Sequence, residues 1–174
     1  MQFILTILFL MAQTMIFDFS PSSDISSWRI VDDGVMGGRS QGQIQLSEAG
    51  HGLYSGEISL KNNGGFSSLR YQPKTIVLTD EKEIILRVKG DGKRYQCRLK
   101  SRLSDAHSYV HYFETSGEWQ TLRLPLGDFY PTFRGRTLDL PNYPAEKLAE
   151  FGLLIGNETE ESFELLIDWV GMDS

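Results

Sequence analysis

Two carboxylates stand side by side in the run Trp28-Arg29-Ile30-Val31-Asp32-Asp33-Gly34-Val35-Met36-Gly37-Gly38-Arg39-Ser40-Gln41-Gly42. Adjacent Asp side chains in a glycine-rich turn can offer oxygens and backbone amides to a ligand or a protein partner. Asp32, Asp33, Met36, Gly37, Gly38 and Ser40 are therefore candidate contact residues. The same residues also have a purely architectural reading. Gly34, Gly37 and Gly38 would supply positive-φ turns, while Val35 and Met36 plug one end of the fold. A phosphate cradle is excluded, because no helix follows whose N-terminus would face an anion and no Gly-Lys-Ser/Thr is present.

A second set places aromatic rings near guanidinium groups: Phe66, Arg70, Tyr71, Tyr130, Phe133 and Arg134. Sugars and peptides are bound by such sets, a ring stacking while Arg fixes hydroxyls or carboxylates, and Phe66, Arg70 and Arg134 are the candidates here. Rings packed in a core, with Arg134 bonding loop carbonyls beside Gly135, is the competing account. His107 and His111 lie four apart on a presumed strand, about 13 Å at strand rise, too far to share one metal ion. No Ser-His-Asp arrangement stands out, and Glu158, Glu160 and Glu161 sit in a solvated turn. The expectation is a binding surface and no enzyme.

The elements that position these residues read as strands. Candidates are Phe17–Phe19, Trp28–Val31, Gln43–Ser47, Leu53–Leu60, Phe66–Tyr71, Glu83–Val88, Arg94–Leu103, Ser108–Phe113, Glu118–Leu124, Gly152–Ile155 and Phe163–Val170, separated by turn residues. In the last of these, alternation puts Phe163, Leu165, Ile167 and Trp169 on one face, and Glu164, Leu166, Asp168 and Val170 on the other. Only Pro144 to Phe151 reads as a helical turn or two, with Pro at its first position and strong helix formers after it. Many short strands with turn signals between them point to a β-sandwich or barrel.

Composition narrows the class further. The 174 residues have room for one compact domain, and a formal net charge of −6 argues against a broad nucleic-acid surface. One cysteine, Cys97, cannot form an internal disulfide or a multi-cysteine zinc site. Residues Met1 to Ile16 carry no charged side chain. At about 1.5 Å per residue that run is too short to cross a hydrocarbon core of roughly 30 Å comfortably, so no integral span is expected. Phe3 to Met11 fits the apolar core of a secretory signal followed by Ala12, Gln13 and Thr14. Translation starting at Met15, or a run that adds a strand to the core, are the other readings. Location stays open with them: exported or periplasmic if Met1 to Thr14 is a cleaved signal, cytoplasmic if the start is Met15. The expected division is residues 1–16 as leader or extension and 17–174 as one domain.

The run from Trp28 to Gly42 resembles the W-x-x-V-x-D-x-V-M-G-G-x-S signature of the complex I intermediate-associated protein 30 family. Tyr54-Ser55-Gly56-Glu57-Ile58-Ser59-Leu60 and Asn63-Gly64-Gly65-Phe66-Ser67-Ser68-Leu69-Arg70 are similar to the family's next signature. Phe129-Tyr130-Pro131-Thr132-Phe133-Arg134-Gly135 resembles its F-x-P-x-x-R-G loop, and Phe163 to Val170 its closing strand. The resemblance implies a galactose-binding-like jelly roll with at most one short helix, related in architecture to family-eleven carbohydrate-binding modules. It implies a non-catalytic, chaperone-like assembly factor whose partners are proteins, by analogy respiratory-complex subunits. The short chain, without an Arg-rich presequence, looks like a bacterial stand-alone member. A carbohydrate-binding module of an exported protein is the alternative. Jelly rolls of this kind often pair first and last strands, and some hold a structural Ca²⁺ there. That makes Asp18 and Asp168 calcium candidates, with carboxylates bonded to backbone amides as the simpler account.

Overall fold

The computed structural model describes residues 13–174; the Phe3 to Met11 run, read above as a signal core, lies outside the described residues. Apolar residues at every second position form strands that bury one face each. In β8 (Arg94–Lys100), Tyr95, Cys97 and Leu99 point inward and are at most 1% exposed, while Arg94, Gln96, Arg98 and Lys100 point out. The strands are collected in two antiparallel sheets. One runs β10 (Trp119–Pro125), β7 (Glu83–Lys89), β15 (Glu161–Asp173), β4 (Gly52–Ile58), β3 (Gln41–Leu46), with β1 (Thr14–Asp18) also paired to β15. The other runs β12 (Arg136–Thr137), β11 (Tyr130–Phe133), β9 (Ser108–Glu114), β8, β14 (Glu150–Ile155), β5 (Ser67–Tyr71), β2 (Trp28–Asp32). A two-stranded piece pairs β6 (Ile76–Val77) with β13 (Lys147–Leu148).

The core lies between the two sheets. Tyr54, Leu165 and Val170 meet Tyr95, Phe151 and Leu153 there, all fully buried. Each such side chain contributes on the order of 1.5–3 kcal/mol. Trp28 closes one region by stacking on Tyr71, ring centroids 4.8 Å apart, and the partly buried Tyr71 ring packs against the core.

Two expectations are corrected. Pro144 to Phe151 is not helical: Lys147–Leu148 and Glu150–Ile155 are strands. Leu148 and Phe151 are wholly buried, and β14 is paired on both sides, by β5 and β8. Sheet pairing in the core overrides the local helix propensity of Ala-Glu-Lys-Leu-Ala-Glu. In β15, the pairing with β7 shifts register between Ile167 and Trp169. One extra residue, Asp168, exchanges the faces beyond it, so Val170 and Met172 are buried and Trp169 is only partly so.

Candidate functional site

At the end of β2 the chain turns once as a 3-10 turn, Asp33–Met36, and leaves through Gly37 at φ 89°. That left-handed conformation suits glycine. The turn is held from inside by Asp33, whose residue is 0% exposed. Its Oδ1 accepts the Ser40 amide at 3.0 Å, and its Oδ2 accepts the Gly65 amide at 2.6 Å, the Phe66 amide at 3.3 Å and the Ser40 hydroxyl. Burial alone pushes this carboxyl up, but the bonds from Ser40, Gly65 and Phe66 outweigh it and hold it below the ordinary carboxylate range. Ser40 Oγ in turn accepts the Ser59 amide at 3.0 Å. Asp32 Oδ2 accepts the Gly42 amide at 2.9 Å, closing the base of the loop.

Glycine at 38 and 64 follows from this packing. A Cβ on either would collide with the Asp33 carboxylate. Asn62 Nδ2, from the turn Lys61–Asn63, donates to Gly37 O at 3.0 Å and ties the two rim loops together. Outside, three large apolar side chains stand exposed, Val35 at 77%, Met36 at 58% and Leu60 at 41%, among the exposed polar residues Arg39, Lys61, Asn62 and Asn63.

The loop is thus inverted relative to expectation. Asp33 and Ser40 are buried, so they cannot present oxygens to a partner; they brace the loop, and Asp32 does the same through Gly42. Val35 and Met36 do not plug the sandwich end; they project from it. Gly37 is exposed and Gly38 half-exposed, and Phe66 is half-buried with its backbone bonded to Asp33. Arg134 (φ 50°), beside the exposed Phe133, lies in the β11–β12 hairpin. That hairpin is at the opposite edge of the seven-stranded sheet from β2, so Arg134 does not join the Asp32 to Gly42 surface.

Arg70 belongs to a different feature. In-register pairing sets Arg29, Arg70, Gly152, Arg98, Val110 and Tyr130 in one row across six strands, on the outer face of the sheet. Lys100 and Glu150 form a pair in the next row. Sequence reasoning passed over Arg29, Arg98 and Lys100. The signal was the alternation Arg94, Gln96, Arg98, Lys100 against Tyr95, Cys97, Leu99, which assigns those cations to one face by parity alone.

Asp18 and Asp168 are brought to neighbouring strands, since Asp18 pairs with Trp169 and Asp168 O accepts the Phe19 amide at 2.9 Å. The Asp168 carboxylate lies 3.4 Å from His51 Nδ1. His111 Nδ1 is 2.7 Å from Tyr112 O, its ring against Phe129, while His107 stacks edge-on to Tyr109. Among the described residues no three His, Cys, Asp or Glu gather as a metal site, and no helix is long and apolar enough to cross a membrane.

Two antiparallel sheets facing each other, joined by loops at the rim, define a jelly-roll β-sandwich. It is similar to a family 11 carbohydrate-binding module from Clostridium thermocellum, solved in complex with a β-1,3-1,4-mixed-linked tetrasaccharide (TM-score 0.63, 14% identity, 92% of this chain and 94% of the other). It is also similar to a family 29 module from Piromyces equi (TM-score 0.58, 6% identity, 93% and 89%). In sequence, the complex I intermediate-associated protein 30 family matches residues 17–167, and the chain belongs to that family. A relative in Drosophila melanogaster, the mitochondrial complex I intermediate-associated protein 30, is 24% identical over 91% of this chain and 62% of its own length. The chain therefore spans about three fifths of that relative.

Proposed function

We propose that this domain is a non-catalytic binding module that assists the assembly or stability of a protein complex, and that it grips its partner with the rim tip formed by Val35, Met36, Gly37 and Leu60. The carrying observation is the inverted loop: a carboxylate bonded on all sides within, and large apolar side chains held outside. A tip fixed before contact loses little conformational freedom on binding, and an exposed Met adapts its shape to an apolar pocket. Asp32, Asp33 and Ser40 are the frame of this tip. The name of the Drosophila relative supports, by family analogy, a partner that is a subunit of a respiratory-complex-like assembly.

The test is capture on immobilised domain, with bound proteins identified by mass spectrometry, using wild type beside the Val35→Ser/Met36→Ser double variant. Enrichment of respiratory-complex subunits by wild type, lost in the double variant at an unchanged melting temperature, is the expected result. Equal capture by both proteins sinks the role of the tip. Absence of any enriched partner sinks the assembly reading.

A second reading, carbohydrate binding, is favoured by one observation outside the tip. The outer face of the seven-stranded sheet carries Tyr112 and Tyr130 with Arg94 Cζ 4.5 Å from the Tyr112 ring centroid. Rings beside guanidinium groups suit a hydroxyl-rich ligand, and retardation in gels cast with different polysaccharides tests this reading directly.

A further inference from the structure

The outer face of the seven-stranded sheet holds more positive charge than its surroundings neutralise. Arg29 and Arg70 stand opposite each other on β2 and β5, and Arg70 and Arg98 flank Gly152 from either side. A Cβ on Gly152 would touch Arg70 Cγ and Arg98 Cβ at 3.8 Å, so the bare glycine leaves a slot between two guanidinium stems. A small pit of about 10 Å³, room for about one water, sits there between Ser68, Arg70, Arg98, Lys100, Glu150 and Gly152.

The partners of these cations are mostly neutral. Arg70 Nε donates to Ser68 Oγ at 3.3 Å; Arg98 donates to Gln96 Oε1 at 3.0 Å and to Thr132 Oγ1 at 3.5 Å; Lys100 Nζ donates to the Asp105 carbonyl. Glu150 is the carboxylate at the pit, and it is shared with Arg29 at 3.8 Å and with the Gln72 amide at 2.7 Å. Burial first, then the charge of Arg70, brings the Arg98 guanidinium down to about 10. An anion set between Arg70 and Arg98 relieves that crowding.

The large apolar side chains exposed elsewhere on the protein are absent from these rows. Val110 and Leu154 form part of the floor and are buried. Protein interfaces are anchored by apolar or aromatic residues at their centre, whereas this face presents hydroxyls, amides, two phenol rings and cations. That set matches a ligand rich in hydroxyls that also carries carboxylates.

We propose that the row Arg29-Arg70-Arg98, with Lys100, Tyr112 and Tyr130 around it, is a binding face for an acidic oligosaccharide, the guanidinium pair astride Gly152 holding a uronate carboxylate. This rests on the carbohydrate reading above and gives it a ligand class and a site. The experiment is affinity electrophoresis and titration calorimetry of the whole chain against polygalacturonate, a neutral mixed-linked glucan, poly-glutamate and a single-stranded oligonucleotide. Retention by polygalacturonate, weakening as salt is raised, is expected, with little retention by the other three. Arg70→Gln is expected to weaken it at least about tenfold at an unchanged melting temperature, since it removes a charge-assisted hydrogen bond to the carboxylate. Arg70→Lys is expected to recover part of the loss, and Arg29→Gln gives a second, more exposed variant should Arg70→Gln fold poorly.

Each outcome decides something. Binding of the neutral glucan alone overturns the acidic class and leaves the carbohydrate reading standing; no retention by either sugar overturns both. Retention by poly-glutamate or the oligonucleotide equal to that by polygalacturonate overturns the sugar, in favour of a general polyanion surface. Polygalacturonate binding unchanged in both Arg70→Gln and Arg29→Gln overturns the site.

Discussion

The carboxylate of Asp33 accepts hydrogen bonds from two loops at once, and Met36, three positions on, projects outward from the same turn; substitutions at the two positions should separate stability from binding. Asp33→Asn turns one acceptor into a donor that faces N–H and O–H groups. Loss of bonds to a buried charge is expected to cost about 2–3 kcal/mol, read as a shift in the urea midpoint. The pH dependence has a definite sign. Asp33 titrates lower in the folded chain than in the unfolded one. Its stabilisation is therefore complete above the unfolded value, near 4, and is lost as pH falls through the folded value. As pH falls below the unfolded value, wild type should lose stability more steeply than Asp33→Asn does. Parallel curves would show that the Asp33 charge is not what braces the loop. Met36→Ser, on a side chain 58% exposed, is expected to leave the melt within about 0.5 kcal/mol of wild type.

Among the elements, β3 and β4 face each other across a pair of glycines, Gly42 and Gly56. A Cβ on Gly56 would run into the Gln41 carbonyl and the Gly42 backbone, neither of which can swing away as a side-chain tip can. Gly56→Ala is expected to cost more than about 2 kcal/mol, because β3 must separate from β4. Gly92→Ala, at φ +82° with open space around it, meets only the left-handed backbone penalty of about 1–2 kcal/mol. Paired urea titrations rank the two, and the reverse order would contradict the close approach. The same elements show what a sequence does and does not reveal. Alternation exposes the inward face of β8 directly, because each residue's side is fixed by its parity. It fails in β15 past Ile167, since a single bulged residue inverts parity and leaves no compositional trace. It also fails at Leu148 and Phe151, whose spacing suits a helix as well as two short strands; only pairing with β6, β5 and β8 decides between them. The tip was legible as a place and illegible as a geometry. Asp32-Asp33 beside glycines marks a turn that needs polar bonds, but nothing in the string says that the carboxylates face inward.

Across the whole molecule, one continuous core joins both sheets, running from Ile16 on β1 through Leu86 and Ile167 to Cys97 and Leu153. Rim contacts can therefore change while the sandwich itself stays closed. Cys97 reports on that closure. Its sulfur is in a fully buried residue at the centre of β8, and burial pushes the thiol well above its ordinary value, so almost no thiolate exists in the native state at neutral pH. Two open routes to reaction with a thiol reagent can be told apart. If the sandwich opens as one unit, the labelling rate in increasing urea should rise with the slope of the equilibrium unfolding curve, because the same surface is exposed in both processes. If β8 and β9 loosen alone, the rate should be nearly flat at low urea. The continuity of the core predicts the first behaviour, with the native-state rate slower than that of unfolded chain by about the unfolding equilibrium constant, roughly 10³-fold or more. A flat dependence would instead make β8 and β9 a locally opening unit, and with them the Arg98 end of the guanidinium row a mobile surface.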